Sequence, residues 1–121
     1  MTVKPVLFAV VAVFAAATAS AQPTDPATAY LAQCKICHSF EPGGHTLVGP
    51  DLHGVFERKA GTVGDPSPAM RNSGIVWNDA TLTQFLRDPR AMVPGNKMSF
   101  PGIADPAALT ALIARLKQAT R

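Results

Sequence analysis

Residues 34–38 read Cys34-Lys35-Ile36-Cys37-His38. Two cysteines separated by two residues and followed at once by a histidine form the attachment signature of a c-type haem. The order has a chemical reason. Each thiol adds to one vinyl group of a porphyrin, and two intervening residues let both sulfurs reach the same edge. The next residue then sets its imidazole under the iron. The chain has no other cysteine. The same spacing serves redox disulfides and zinc half-sites. The redox use goes with a βαβ pattern, which the sequence lacks. Structural zinc needs four neighbouring ligands, and two cysteines with one adjacent histidine do not supply them.

The chain has 121 residues, enough for one domain. Its first 21 residues read as a leader rather than as part of the fold. Lys4 precedes an apolar run over residues 6–17, and Ala19-Ser20-Ala21 is a small-x-small cleavage site. Cleavage is expected after Ala21, leaving residues 22–121 as a single domain that starts at Gln22. The run is short and alanine-rich for a membrane span, and an uncleaved anchor is the alternative. Without Lys4 the chain carries ten basic and eight acidic residues, close to +2. Two haem propionates would nearly cancel that, and no basic stripe suggests nucleic acid. Export to the periplasm suits the motif, because c-type haem is attached outside the cytoplasmic membrane.

Outward from the motif, the pattern is helices joined by loops. Asp25-Pro26-Ala27 predicts a helix start, with Asp as cap and Pro at the first helical position. This helix runs through Tyr30 and Leu31 into the cysteines, and Tyr30 shares a face with Cys34. Glu41-Pro42-Gly43-Gly44 ends it. Gly49-Pro50-Asp51-Leu52 has turn chemistry, and a short helical turn is expected through Val55 and Phe56. Residues 61–73 read as an irregular loop, with residues 63–68 a flexible surface loop or a wrap for the cofactor. Asn78 or Asp79 caps a middle helix, and Thr81 with Gln84 has capping-box spacing. Its apolar face is Leu82, Phe85 and Leu86, and Asp88-Pro89 stops it. Residues 90–101 are aperiodic. Asp105-Pro106-Ala107 opens the last helix, where Leu109, Leu112, Ile113 and Leu116 fall on one face.

A six-coordinate iron needs a second axial ligand. Residue type alone leaves His45, His53, Met70, Met92 and Met98 open. Three further stretches narrow the choice by resemblance: Pro94-Gly95-Asn96-Lys97-Met98-Ser99-Phe100, the run Gly49-Pro50-Asp51-Leu52-His53-Gly54-Val55-Phe56, and Gly74-Ile75-Val76-Trp77. Together with the haem motif they resemble the class I cytochromes c, over residues 30–117 and in the family's order. The resemblance implies an all-α cytochrome c fold, with N- and C-terminal helices packed together and loops wrapping one covalent haem c. It implies His38 and Met98 as axial ligands, with the Pro50 carbonyl accepting from the other ring nitrogen of His38. It places Arg58 and Trp77 near one haem propionate, with Trp77 donating. His53 and His45 are then structural or loop residues, and Met70 and Met92 are packing residues.

The sequence departs from the mitochondrial pattern in three places. Phe85 stands where a tyrosine is common, and the lone tyrosine, Tyr30, is placed to pack on the last helix. Asn96 replaces a frequent threonine and is expected to supply a polar contact at the haem. The lysine ring around the haem edge is thin: Lys35, Arg90 and Lys97 remain, with Gln33 and Ala91 where lysines often stand. Docking should therefore depend less on charge steering.

These features imply a monomeric one-electron carrier rather than an enzyme. It would meet membrane complexes or exported dehydrogenases transiently at the haem edge near Cys37, bordered by Ile36, Lys97, Ser99 and Phe100. Two alternatives are the electron-accepting subunit of one periplasmic dehydrogenase, and a haem enzyme with a displaceable Met98.

Overall fold

The computed structural model describes residues 1–5, 9–19, 24–44 and 48–121. Among the described residues five helices carry the fold: α1 (Pro26–Cys37), α2 (Pro68–Arg71), α3 (Asp79–Arg87), α4 (Pro89–Met92) and α5 (Pro106–Ala119). Four of them start alike, with a polar cap followed by proline: Asp25-Pro26, Ser67-Pro68, Asp88-Pro89 and Asp105-Pro106. The cap oxygen accepts an otherwise orphaned backbone N–H, and proline costs nothing where no N–H is needed. α3 starts differently. Asn78 accepts from Thr81 N–H while the Thr81 hydroxyl accepts from Asn78 N–H, both at 2.9 Å. The capping box is therefore Asn78 with Thr81, not Thr81 with Gln84.

Two segments expected to be irregular contain helix. Residues 61–73 hold α2, and residues 90–101 begin inside α4, because the Pro that stops α3 also starts α4. Asp88 caps the end of one and the start of the other. Residues 63–68 are not wholly a surface loop either, since Ser67 is buried and accepts from Met70 N–H. The turn at Val55 is a pair of i→i+3 hydrogen bonds, Val55 N–H to Leu52 and Arg58 N–H to Val55, without a helix. Among the described residues no strand forms. A single antiparallel bridge pairs Lys59 with Val76.

α1 and α5 pack against each other, and α5 also meets α3. The shared core holds Ala27, Leu82, Phe85, Leu86, Ile103, Leu109, Leu112 and Ile113. Trp77 is buried on Phe85, with ring centroids 5.1 Å apart. Tyr30 meets Phe100 edge-on at 6.5 Å, so its aromatic partner lies in the loop ahead of α5 rather than on α5. Arg115 of α5 pairs with Asp25, the cap of α1, at 2.5 Å. This packing and the ion pair at its start hold α1, whose far end bears the cysteines, against α5.

The described residues among the first 21 take no part in the fold. Residues 1–5 and 9–19 have no regular structure, and Val10, Val11, Val13 and Phe14 are 81–94 % exposed. Ser20, Ala21 and Gln22, with the expected cleavage point, lie outside the described residues, as does His45.

Leu112 is 1 % exposed in the core, and Leu112→Ala is expected to cost about 2–5 kcal/mol in chemical denaturation. Arg115→Ala breaks a half-exposed ion pair and is expected to cost about 1 kcal/mol or less in the same experiment.

Candidate haem site

The site begins where α1 stops. Cys34 and Cys37 lie in its last turn, half-buried and unbridged. His38 leaves helical geometry for an extended backbone (φ −123°, ψ 139°), while its N–H still bonds Cys34 O at 3.0 Å. The helix thus presents two thiols one turn apart and then turns the imidazole off its axis. Burial pushes the Cys34 thiol up, which keeps it protonated.

Residues 37–39 and 49–52 are zipped together. Gly49 N–H bonds Cys37 O at 2.9 Å and Leu52 N–H bonds Ser39 O at 2.8 Å. Between these two bonds lies a third, His38 Nδ1 to Pro50 O at 2.7 Å. A carbonyl only accepts, so Nδ1 carries the proton. Burial lowers the His38 pKa, the Pro50 bond opposes that shift, and the nearby Arg58 charge adds to it. The ring is therefore neutral near pH 7, with the lone pair on Nε2 facing away from Pro50. A Cβ at Gly49 would lie 2.5–3.0 Å from three ring atoms of His38. Only glycine lets this backbone approach the ring so closely, a contact that the turn-like sequence around Gly49 does not announce.

The loop after Pro50 is held from both ends. It passes through left-handed backbone at Gly54 (φ 69°) and Glu57 (φ 72°), which returns the Arg58 side chain to its start. The guanidinium donates to Asp51 O at 2.7 Å and His53 O at 3.2 Å. Gly54 N–H donates to Thr120 O at the end of α5, at 2.6 Å. The backbone N–H of Trp77 bonds Arg58 O at 2.9 Å beside the Lys59–Val76 bridge, so the two residues expected near a propionate are neighbours in the chain fold, with the Arg58 guanidinium turned to Asp51 and His53. His53 Nδ1 is buried without a protein partner.

Met98 sits half-buried against the core, in the irregular segment between α4 and α5. Met70 and Met92 pack on the same core from α2 and α4. Burial therefore does not separate the three methionines, of which only Met98 lies outside a helix. Asn96, two residues before Met98, uses its amide on backbone. Nδ2 donates to Pro89 O at 2.9 Å and to Val93 O at 2.8 Å, and Oδ1 accepts from Met98 N–H at 2.9 Å. Its reach toward the site runs through Met98.

The donor set suits a covalently attached haem: two reduced thiols, a neutral imidazole with a defined lone pair, and a thioether on a tethered loop. The two thiols are unbridged. Among the described residues no three His, Cys, Asp or Glu side chains cluster to hold a metal ion.

The chain is similar to known proteins. Cytochrome c2 of Blastochloris viridis is 42 % identical over 110 residues, covering 88 % of this chain and 87 % of its own. Cytochrome c2 iso-2 of Magnetospirillum fulvum is 48 % identical over 89 residues, covering 69 % of this chain and 88 % of its own. In structure, cytochrome cH from Methylobacterium extorquens superposes with a TM-score of 0.68 at 45 % identity, over 77 % of this chain and 95 % of that one. No protein-family model matches the sequence. Fold and attachment motif together define a c-type cytochrome, an electron-transport protein with one covalent haem c at Cys34 and Cys37. The chain belongs to the class I cytochromes c, as its relatives and structural neighbour do.

Proposed function

We propose that the chain is a monomeric periplasmic one-electron carrier with His38 and Met98 as axial ligands. The His38–Pro50 hydrogen bond is the observation that carries this reading. It fixes the tautomer that offers Nε2 to iron and raises the basicity of that nitrogen. The bound haem c supplies the redox change, ferric to ferrous, and thioether ligation favours the ferrous form. The chain's own residues hold geometry constant. Pro50 orients the imidazole, Arg58 braces the Pro50 loop, and Trp77 stands beside Arg58 where both would meet a propionate. With His38 and Met98 filling the axial positions, oxygen and peroxide have no open site, which is the case against an enzyme.

Ferric protein should show the weak sulfur-to-iron charge-transfer band of methionine ligation. The band is expected to vanish in Met98→Ala and persist in Met70→Ala and Met92→Ala; a band that survives Met98→Ala refutes the ligand assignment.

Partners would dock transiently at the haem edge near Cys37, where Ile36 is 78 % exposed. The cations near this edge are few: Lys35, Arg90 and Lys97. Lys97 faces Asp65 at 3.6 Å, and Lys35 stands 5.3 Å over the Phe40 ring. The electron-transfer rate is expected to fall by less than about tenfold from ~10 to ~150 mM salt, over which the screening length shrinks from about 30 to about 8 Å. A steeper fall in stopped-flow kinetics would show charge-steered docking.

Residues 1–21 act as the export leader, consistent with apolar side chains left unpacked by the fold. Among the described residues no helix is long and apolar enough to cross a membrane. The intact mass of the exported protein should correspond to a chain starting at Gln22, and retention of residues 1–21 would argue for an anchor.

A further inference from the structure

The segment carrying Met98 has little backbone support of its own. Among the described residues it contains no helix or strand, and its backbone hydrogen bonds lie at its two ends. Asn96 N–H bonds Val93 O at 3.1 Å, and Ile103 N–H bonds Leu86 O at 2.9 Å. Lys97 and Ser99, on either side of Met98, are exposed. A loop of this kind samples many backbone states unless something selects one.

The Asn96 side chain makes the connection that the backbone lacks. Both of its N–H donors go to carbonyls of one rigid platform, Pro89 and Val93. Pro89 is nearly inaccessible and Val93 is 3 % exposed. Asp88 caps the helix they flank, and Val93 N–H closes it on Pro89 O at 3.0 Å. The remaining amide oxygen holds Met98 N–H at 2.9 Å. A carboxamide is suited to this task, because it offers two donors on one side and an acceptor on the other. Threonine, with one hydroxyl proton, has too few donors for the same bridge.

From this geometry we infer that Asn96 is the positioning residue for the sixth ligand, anchoring Met98 to the α4 platform. The inference rests on the reading of Met98 as an iron ligand. It departs from the expectation that Asn96 contacts the haem, for both of its donors are engaged by backbone. The clamp acts by restricting the backbone of residue 98, so the sulfur returns to one place after any excursion. Its loss would appear as easier replacement of the thioether by an added ligand, with the fold still intact.

Imidazole is the probe. Titrated into the ferric holoprotein, it competes with Met98 and abolishes the charge-transfer band. Asn96→Ala is expected to lower the apparent Kd for imidazole about tenfold, the order expected when a net one to two hydrogen bonds of restraint are lost. An apparent Kd within about twofold of the parent protein would overturn the inference. Leu116→Ala serves as the comparison, because Leu116 is buried in α5 but lies outside the cluster on which Met98 packs. It should lower the denaturation midpoint and leave the imidazole affinity within about twofold. If it tightened imidazole binding as much as Asn96→Ala does, general loosening would explain the effect and the clamp would be refuted. Met98→Ala separates the two readings. A band retained there removes the ligand assignment itself, whereas a band lost there with unchanged affinity in Asn96→Ala removes only the clamp.

Discussion

The site depends on which nitrogen of His38 holds the proton. A free imidazole exchanges between two tautomers, and only one of them offers Nε2 as a donor atom. The Pro50 carbonyl, at 2.7 Å from Nδ1, selects that one. A carbonyl can do this only if its own position is defined, and much of the surrounding structure supplies the definition. Two backbone bonds zip residues 37–39 to 49–52, Gly49 allows the approach, and the Arg58 guanidinium holds the carbonyls of Asp51 and His53. The attachment motif brings thiols and imidazole together in sequence; the loop twelve residues away makes the imidazole a specific ligand.

The fold was legible where helix starts and apolar periodicity coincide. α1 and α5 were read from Asp-Pro-Ala followed by a long helical segment, and their packing sets the frame. α2 and α4 use the same start, Ser67-Pro68 and Asp88-Pro89, but run for only four residues each. Four residues do not establish a period, so the start signal stood without its usual confirmation. Asp88-Pro89 was misread for a further reason. A proline after a helix marks an end, and here the same dipeptide is also a beginning. The capping box was misplaced by three residues because Thr takes the role usually given to Glu or Gln, with Asn78 as its partner.

The site divides in the same way. Cys34, Cys37 and His38 stand together in sequence and were legible from spacing alone. The Pro50 contact and the placing of Arg58 and Trp77 near a propionate were reached through family resemblance; the structure shows the His38–Pro50 hydrogen bond and a backbone bond between Trp77 and Arg58. The close approach of Gly49 to the His38 ring left no mark in the sequence, since a glycine in a turn has many uses. Asn96 was noticed as a departure, but its bonding was not foreseen. Whether an amide faces a cofactor or three backbone groups is decided by tertiary packing, here by the burial of Pro89 and Val93 beside it.

The bond from Gly54 N–H to Thr120 O joins the Pro50 loop to the cap of the last helix. It spans more than sixty positions along the chain, so it forms only when α5 has docked on α1. Contacts of such separation are late events in folding, because closing the intervening loop costs entropy before any contact rewards it. Thioether formation at Cys34 and Cys37 needs no such contact. The bonds that orient His38 are likewise local, so only the outer brace of the Pro50 loop waits for the far end of the fold.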